Sequence, residues 1–457
     1  MAYRSGGRRG GRGRGGGDFY RGRGRGGGYQ QDGYYQDGYD DPQYQHHQPP
    51  VLQPARGGRG GQSYYNGRGG AYEPFGRGGR GGKRNAGDTD GMADHGGGPR
   101  RRGGQGGGNP LVYCRHFMDG TCQARSSPCG FKHGLLRLGG MPKAHSNGID
   151  AMLIQENPED STKPILWTGS RDGKLKMWEM VEQDGSRLQF REKQDTNMQG
   201  CNVTSLLYAG DGVFVGQSNG VITCFRLNGQ TFTLTGHTAP VYALLMLDDV
   251  LISGSWDATV RFWKFDAASQ QFGCVQSVPV CSGVKAIANH TTQLWVATIE
   301  KIQVLDLSNN GTIGAGFDVP KVMDLLLYSG PSGSFMLAVT LSGHIKAFNL
   351  QTGAEEYDQQ HSGPQQKIMK LAGLKDPSDG QDLLLFAKDN GWITALELPT
   401  MNERGSFRAH NEVEVRSMVS IPALGLLFTA GMDGSVAAWK FVPGGTPPCK
   451  AGGAPAW

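Results

Sequence analysis

The chain has 457 residues, enough for two or three domains, yet 75 of them are glycine, about twice the usual share. Its formal net charge of +5 is uneven: residues 1–110 carry about +9, residues 111–134 about +2 and residues 135–457 about −6. Eight scattered cysteines, no apolar leader and no run approaching 18 apolar residues set the expectation of a protein neither exported nor membrane-spanning, in a reducing compartment.

Residues 1–110 hold too few apolar side chains, tyrosine aside, to offset the chain entropy lost on folding, so a disordered tail is expected there. Arg-Gly and Arg-Gly-Gly units fill residues 4–28 and return at 56–61, 68–70 and 77–82, with a tyrosine-rich stretch at 28–44. Lys83 is the one lysine before residue 110. That bias matters, because guanidinium stacks on bases and forks onto phosphates whereas ammonium is a point charge. The tail reads as an arm for single-stranded or structured RNA without strong sequence preference; a merely solvated linker is the alternative. Lys83-Arg84 with Arg100-Arg101-Arg102 has the form of a split nuclear-import signal, so a nuclear location with shuttling to the cytoplasm is expected. The Gly-x-Gly-x-x-Gly strings of the tail follow no strand and open no helix, and so are not nucleotide loops.

Within residues 111–134, Cys114, Cys122, Cys129 and His133 follow the spacing C-x7-C-x6-C-x3-H. Three thiolates and an imidazole make a closed tetrahedral zinc site, which is structural and leaves no position for a catalytic water. The set resembles the Cys-Cys-Cys-His zinc-finger family, whose fingers recognise single-stranded RNA; the middle gap there is commonly five residues, and here it is six. Tyr113, Phe117 and Phe131 are aromatic and Arg115 and Lys132 basic, a combination that suits an RNA-stacking platform. The alternative for the rings is a small core over the metal. His116 matches no ligand spacing and reads as a bystander.

From residue 135 to 442 the sequence repeats. Thr168-x3-Asp172-Gly173-x4-Trp178, Ser253-x3-Asp257-x5-Trp263 and Thr429-x3-Asp433-Gly434-x4-Trp439 share one register, each preceded by a histidine: His145, His237 and His410. Weaker copies lie at 212–227, 294–307, 335–350 and 383–398, giving seven units of short apolar strands separated by Gly, Asn or Asp turns. These residues resemble the WD-repeat family, which implies an all-β, seven-bladed β-propeller. In that family the histidine, Ser or Thr, aspartate and tryptophan of a blade form a hydrogen-bonded chain. His237, Ser253 and Asp257 could be taken for a hydrolytic triad, but the set recurs and ends on a tryptophan, so it reads as blade architecture.

The stretch after Phe441 is rich in Pro and Gly, and 443–457 is expected to be disordered. The outer strand of the seventh blade should therefore come from residues 135–141, mounting the finger directly on the propeller. Cys201, Cys224, Cys274, Cys281 and Cys449 have no second-finger spacing and read as buried or ordinary thiols.

Finger, tail and propeller together resemble the plant and green-algal zinc-finger proteins that combine Cys-Cys-Cys-His fingers with WD repeats. That resemblance implies a non-enzymatic RNA-binding scaffold: one structural Zn2+, single-stranded RNA (mRNA) on the finger and tail, and protein partners of an mRNA-processing or decay assembly on the propeller. A ubiquitin-ligase substrate receptor is the main alternative, and a DNA-binding regulator the next. Against the first, Trp178, Trp263 and Trp439 are followed by Glu179, Lys264 and Lys440 rather than by the Asp-x-Arg run that many such receptors carry.

Overall fold

The computed structural model describes residues 111–122, 129–157, 164–183, 187–363 and 366–443. The Arg-Gly tail, its two basic clusters, Cys449 and the 444–457 end lie outside the described residues.

The described residues form seven four-stranded antiparallel sheets. Blades one to six occupy 149–197, 203–234, 241–279, 284–317, 322–360 and 368–408 in chain order. The innermost strand of each blade touches that of the next, and the innermost strand of the seventh, Val415–Ile421, returns to Ile149–Gln155 of the first. The circle is therefore closed. Each second strand is packed between neighbouring blades and is buried on both faces, as in Ile165–Ser170, Gly212–Gln217 and Val250–Ser255. Fourth strands such as Arg187–Asn197 face solvent and alternate or stay polar.

This contrast explains the composition of the repeats. A strand buried on both faces needs a continuous apolar run, with a small residue wherever the next blade comes close. At Gly254 an added Cβ would lie 2.5 Å from Val284 Cγ1 of the following blade, so no larger side chain fits without moving that blade.

The seventh sheet takes its outer strand from the other end of the repeats. Leu135–Met141 pairs antiparallel with Val436–Phe441, from Leu135 opposite Phe441 to Met141 opposite Val436. Side chains reinforce the seam. Asp150 of the first blade accepts from Arg171 Nε at 2.9 Å and from Arg416 Nε of the seventh at 3.0 Å, while Arg416 also reaches Glu414 at 2.9 Å. Burial alone would raise the Asp150 carboxyl, but the two guanidinium groups outweigh it and hold the carboxyl below its usual range.

The three tetrads assemble inside their blades. In blade three, Asp257 Oδ2 lies 2.8 Å from His237 Nδ1, His237 Nε2 lies 2.8 Å from Ser253 Oγ, and Trp263 Nε1 donates to Ser253 Oγ at 2.8 Å. A carboxylate only accepts, so Nδ1 carries the proton and Nε2 accepts from the serine hydroxyl. Blade one repeats the arrangement with His145, Asp172, Thr168 and Trp178 at 2.7–3.0 Å. Blade seven departs from it. Thr429 bridges His410 and Trp439 at 3.0 and 3.1 Å, but Asp433 stands 3.8 Å from His410 Nδ1, and Ser435 Oγ relays between them at 2.9 and 2.7 Å.

Two outcomes follow from these chains. Ser253→Ala strips two buried partners, His237 and Trp263, of one shared hydroxyl and should cost about 1–3 kcal/mol of stability in urea denaturation. Acidification should also destabilise the ring. Burial depresses His145 and His410, and in Asp257 the bonds from His237, Thr259 and Thr238 outweigh the upward effect of burial and depress the carboxyl. The folded state thus binds fewer protons than the unfolded one. The contribution of these groups is present above the unfolded histidine value of 6.5, falls as the unfolded histidines charge, and falls again as pH drops through 3.8 and below, where unfolded aspartate protonates. Midpoints of urea unfolding measured from pH 7.5 to pH 3 check the sign.

Candidate metal centre and its seat on the propeller

One helical turn, Arg115–Met118, and the loops around it bring Cys114, Cys122, Cys129 and His133 together, with all ligand atoms within 4.8 Å of one another. Cys114 Sγ lies 3.9 Å from Cys122 Sγ and 3.6 Å from Cys129 Sγ, and Cys122 Sγ lies 3.5 Å from His133 Nε2. A tetrahedron with metal–sulfur bonds of ~2.3 Å and metal–nitrogen bonds of ~2.05 Å has edges of about 3.8 and 3.6 Å, close to these three separations, so the set suits a zinc ion. The chemistry of the set agrees. Burial and the two adjacent thiols push the Cys114 thiol up to about 11, and a divalent ion is what would stabilise the thiolates instead. Cys114 also caps the helical turn, accepting from the Phe117 amide at 3.4 Å.

The knuckle is built onto the edge of blade six. Val112 makes a parallel bridge with Ser406 in the outer strand Asn402–Arg408, the Tyr113 amide donates to the Ser406 carbonyl at 2.9 Å, and the Ser406 amide donates to the Leu111 carbonyl at 2.7 Å. On its other side the same segment bridges Lys132, whose amide donates to the Val112 carbonyl at 2.9 Å. Residues 111–113 therefore lie between knuckle and blade and complete the hydrogen bonding of both. Gly405 makes the approach possible, since a Cβ there would meet Tyr113 Cε2 at 2.8 Å.

Side chains lock this joint. Tyr113 is 3% exposed, edge-on to Phe407 and Phe441 with ring centroids 6.1 Å from each. Arg404, in the receiving strand, is clamped by Asp376, Asp379 and Glu397 at 2.6–2.9 Å. Its carbonyl accepts the Lys132 amine, and burial, with Arg404 adding to it, lowers the pKa of that amine.

Three of the five residues expected to contact RNA are thereby corrected. Tyr113 is consumed by the joint with the propeller. Phe117 is buried and stacked on His133, with centroids 4.4 Å apart and planes at 19°, so it walls the ligand cage. Lys132 is half-buried and points at blade six. Arg115 stays exposed, and Phe131 is 44% exposed. His116 is exposed and its ring faces Thr121 Oγ1 at 3.4 Å, away from the ligand set. Sequence reasoning missed Ser406, Arg404 and Gly405 as the seat of the knuckle; the available signal was the strand-like run Leu111-Val112-Tyr113 immediately before Cys114. Of the other thiols, Cys224 is buried, Cys201 half-buried, and Cys274 and Cys281 exposed.

Metal analysis of purified protein should give one zinc per chain, and Cys122→Ser should abolish it. Tyr113→Ala removes a buried ring from the joint and should lower unfolding free energy by about 3–5 kcal/mol while speeding proteolysis between knuckle and ring.

Comparison with known proteins agrees with this construction. The "WD domain, G-beta repeat" family matches residues 228–264, which hold His237, Ser253, Asp257 and Trp263. Zinc finger CCCH domain-containing protein 17 of Oryza sativa subsp. japonica is 26% identical over 77% of this chain and 76% of its own. Zinc finger CCCH domain-containing protein 48 of Arabidopsis thaliana is 24% identical over 75% and 77% respectively. The F-box/WD-40 repeat-containing protein At5g21040 of Arabidopsis thaliana is 25% identical over 42% of this chain and 36% of its own. A four-ligand knuckle seated on a closed ring of blades, and similarity to these relatives over three quarters of both chains, make the protein similar to the zinc finger CCCH domain-containing proteins of plants, with a WD-type repeat in blade three.

Proposed function

We propose that the protein is a non-enzymatic RNA-associated adaptor that carries one structural zinc. The observation that carries this reading is the seat of the knuckle. Because residues 111–113 extend blade six, knuckle and ring form one body, and the exposed Arg115 and Phe131 are presented at a fixed place beside the propeller faces. The Arg-Gly sequence of residues 1–110 adds a cationic arm of the kind that grips single strands through phosphates and stacking. The propeller is the protein-interaction platform, holding components of an mRNA-processing or decay assembly. Lys83-Arg84 and Arg100-Arg101-Arg102 favour a nuclear location.

The non-enzymatic reading is supported by burial. In the one constellation that resembles a triad, Ser253 has no exposed surface and its hydroxyl is already shared by His237 and Trp263. A saturated Cys-Cys-Cys-His shell likewise offers a metal no open position for water.

Partial similarity to an F-box/WD-40 protein favours a second reading, in which the propeller presents a substrate to a ubiquitin ligase. Affinity purification after nuclease treatment separates the two, since ligase subunits should then persist only under the second.

Fluorescence anisotropy with single-stranded oligoribonucleotides tests the first reading. Affinity should fall with salt at a log–log slope of about −0.7 per phosphate contacted, and removing residues 1–110 should flatten that slope. Cys122→Ser should abolish the remaining base preference. Stronger binding of duplex DNA than of RNA, or no dependence on tail and knuckle, would refute it.

A further inference from the structure

Where the knuckle meets blades six and seven, a cavity of about 540 Å3 opens to solvent. Its volume lies in the ordinary range for small-ligand pockets. Three arginines line it, each from a different element: Arg115 from the helical turn of the knuckle, Arg137 from the closing strand Leu135–Met141, and Arg408 from the outer strand of blade six. All three are exposed. Elsewhere on the ring Arg171, Arg226, Arg404 and Arg416 are clamped by carboxylates at 2.6–3.0 Å. At the cavity, by contrast, Arg115 and Arg137 have no carboxylate partner among the described residues, and Arg408 has only Glu412 at 3.7 Å, whose side chain is 82% exposed. Asp119 and Asp433 also line the cavity, so three guanidinium groups outnumber two carboxylates.

The cavity also has planar surface. Trp392, half-buried at the start of strand Trp392–Glu397, lies directly across the ladder from Arg408, whose guanidinium carbon is 5.6 Å from the indole centroid. Arg137 sits in the same way 5.8 Å from the ring of Trp439. An indole with a guanidinium over it is a stacking shelf, and unpaired guanidinium groups beside it suit phosphate oxygens. Planes and anions alternating at short spacing are the chemistry of a single-stranded nucleic acid. A phosphorylated or acidic peptide would use the cations and leave the shelf idle.

We propose that this cleft is a nucleotide-binding site for single-stranded RNA, in which the Trp392–Arg408 shelf stacks one base while Arg115 and Arg137 hold the adjoining phosphates. The inference rests on the RNA-binding reading above and deepens it, because it places base contact on the propeller and the knuckle jointly. The ring then acts as half of the RNA site as well as a platform for proteins.

The test uses the full-length, zinc-loaded chain at near-physiological salt, with anisotropy on a set of single-stranded 12-nucleotide RNAs and ultraviolet crosslinking read by mass spectrometry. Trp392→Ala should weaken binding roughly 5- to 100-fold, and Trp392→Phe should retain most of it. The exposed pair Arg115→Gln with Arg137→Gln, which leaves the fold's ion pairs intact, should reduce the salt slope by about 1.4, two phosphates at 0.7 each. Crosslinks should fall on the peptides containing Trp392 and Arg137. Wild-type binding with all three variants unchanged and crosslinks confined to residues 1–110 would overturn this site while leaving the RNA reading in place. Failure of the wild type to bind any RNA would overturn both. Tight binding of a phosphoserine peptide, lost in the arginine pair but not in Trp392→Ala, would assign the cleft to a protein ligand instead.

Discussion

The antiparallel pairing of Leu135–Met141 with Val436–Phe441 is the constraint on which the rest of the molecule depends. Without it the seventh blade would be a three-stranded sheet, with the amides and carbonyls of Val436–Phe441 unpaired along one side and the two ends of the domain not tied together. Recruiting that strand from before the first repeat closes the circle and ties the two ends of the domain together. Only Gly134 separates the last ligand, His133, from the first residue of the strand. Closure of the ring thus dictates where the knuckle must stand.

The knuckle in turn solves a problem for its neighbour. Blade six ends in a solvent-facing strand, and the segment 111–113 covers part of that edge with backbone hydrogen bonds while Tyr113 fills the apolar gap between Phe407 and Phe441. A small metal-bound unit buries too little to stay put by itself. Here the acidic clamp on Arg404 stiffens the receiving strand, and Lys132 closes over its carbonyl. Knuckle and propeller are therefore one structural unit with a cationic, aromatic cleft at their joint.

Much of this was legible in the sequence, because it is written in local spacing. The ligand intervals from Cys114 to His133 pointed to the four side chains that the fold gathers within 4.8 Å of one another. The Thr168, Ser253 and Thr429 registers, with a tryptophan ten residues on, fix the strand pair that carries each tetrad, since period-two alternation and a tight turn leave one way to align them. These three units with the four weaker copies, and the Pro- and Gly-rich stretch after Phe441, pointed to both the ring and the origin of its closing strand.

Tertiary structure decided what spacing does not encode: which face of a residue meets another part of the chain. Tyr113 and Phe117 carry the same exposed-looking context as Phe131, yet one enters the core beside Phe407 and one covers His133, because the partners lie nearly three hundred residues away or across the metal. Ser435 replaces direct contact between His410 and Asp433 for a similar reason, a small difference in loop path that composition does not register. The cleft of Arg115, Arg137, Arg408 and Trp392 exists only once ring closure has brought Arg115 and Arg137 beside Trp392 and Arg408. The sequence by itself determined the ligand set and the number of blades; only the folded ring decided which aromatic and basic groups are left to bind anything, since burial is a property of distant neighbours.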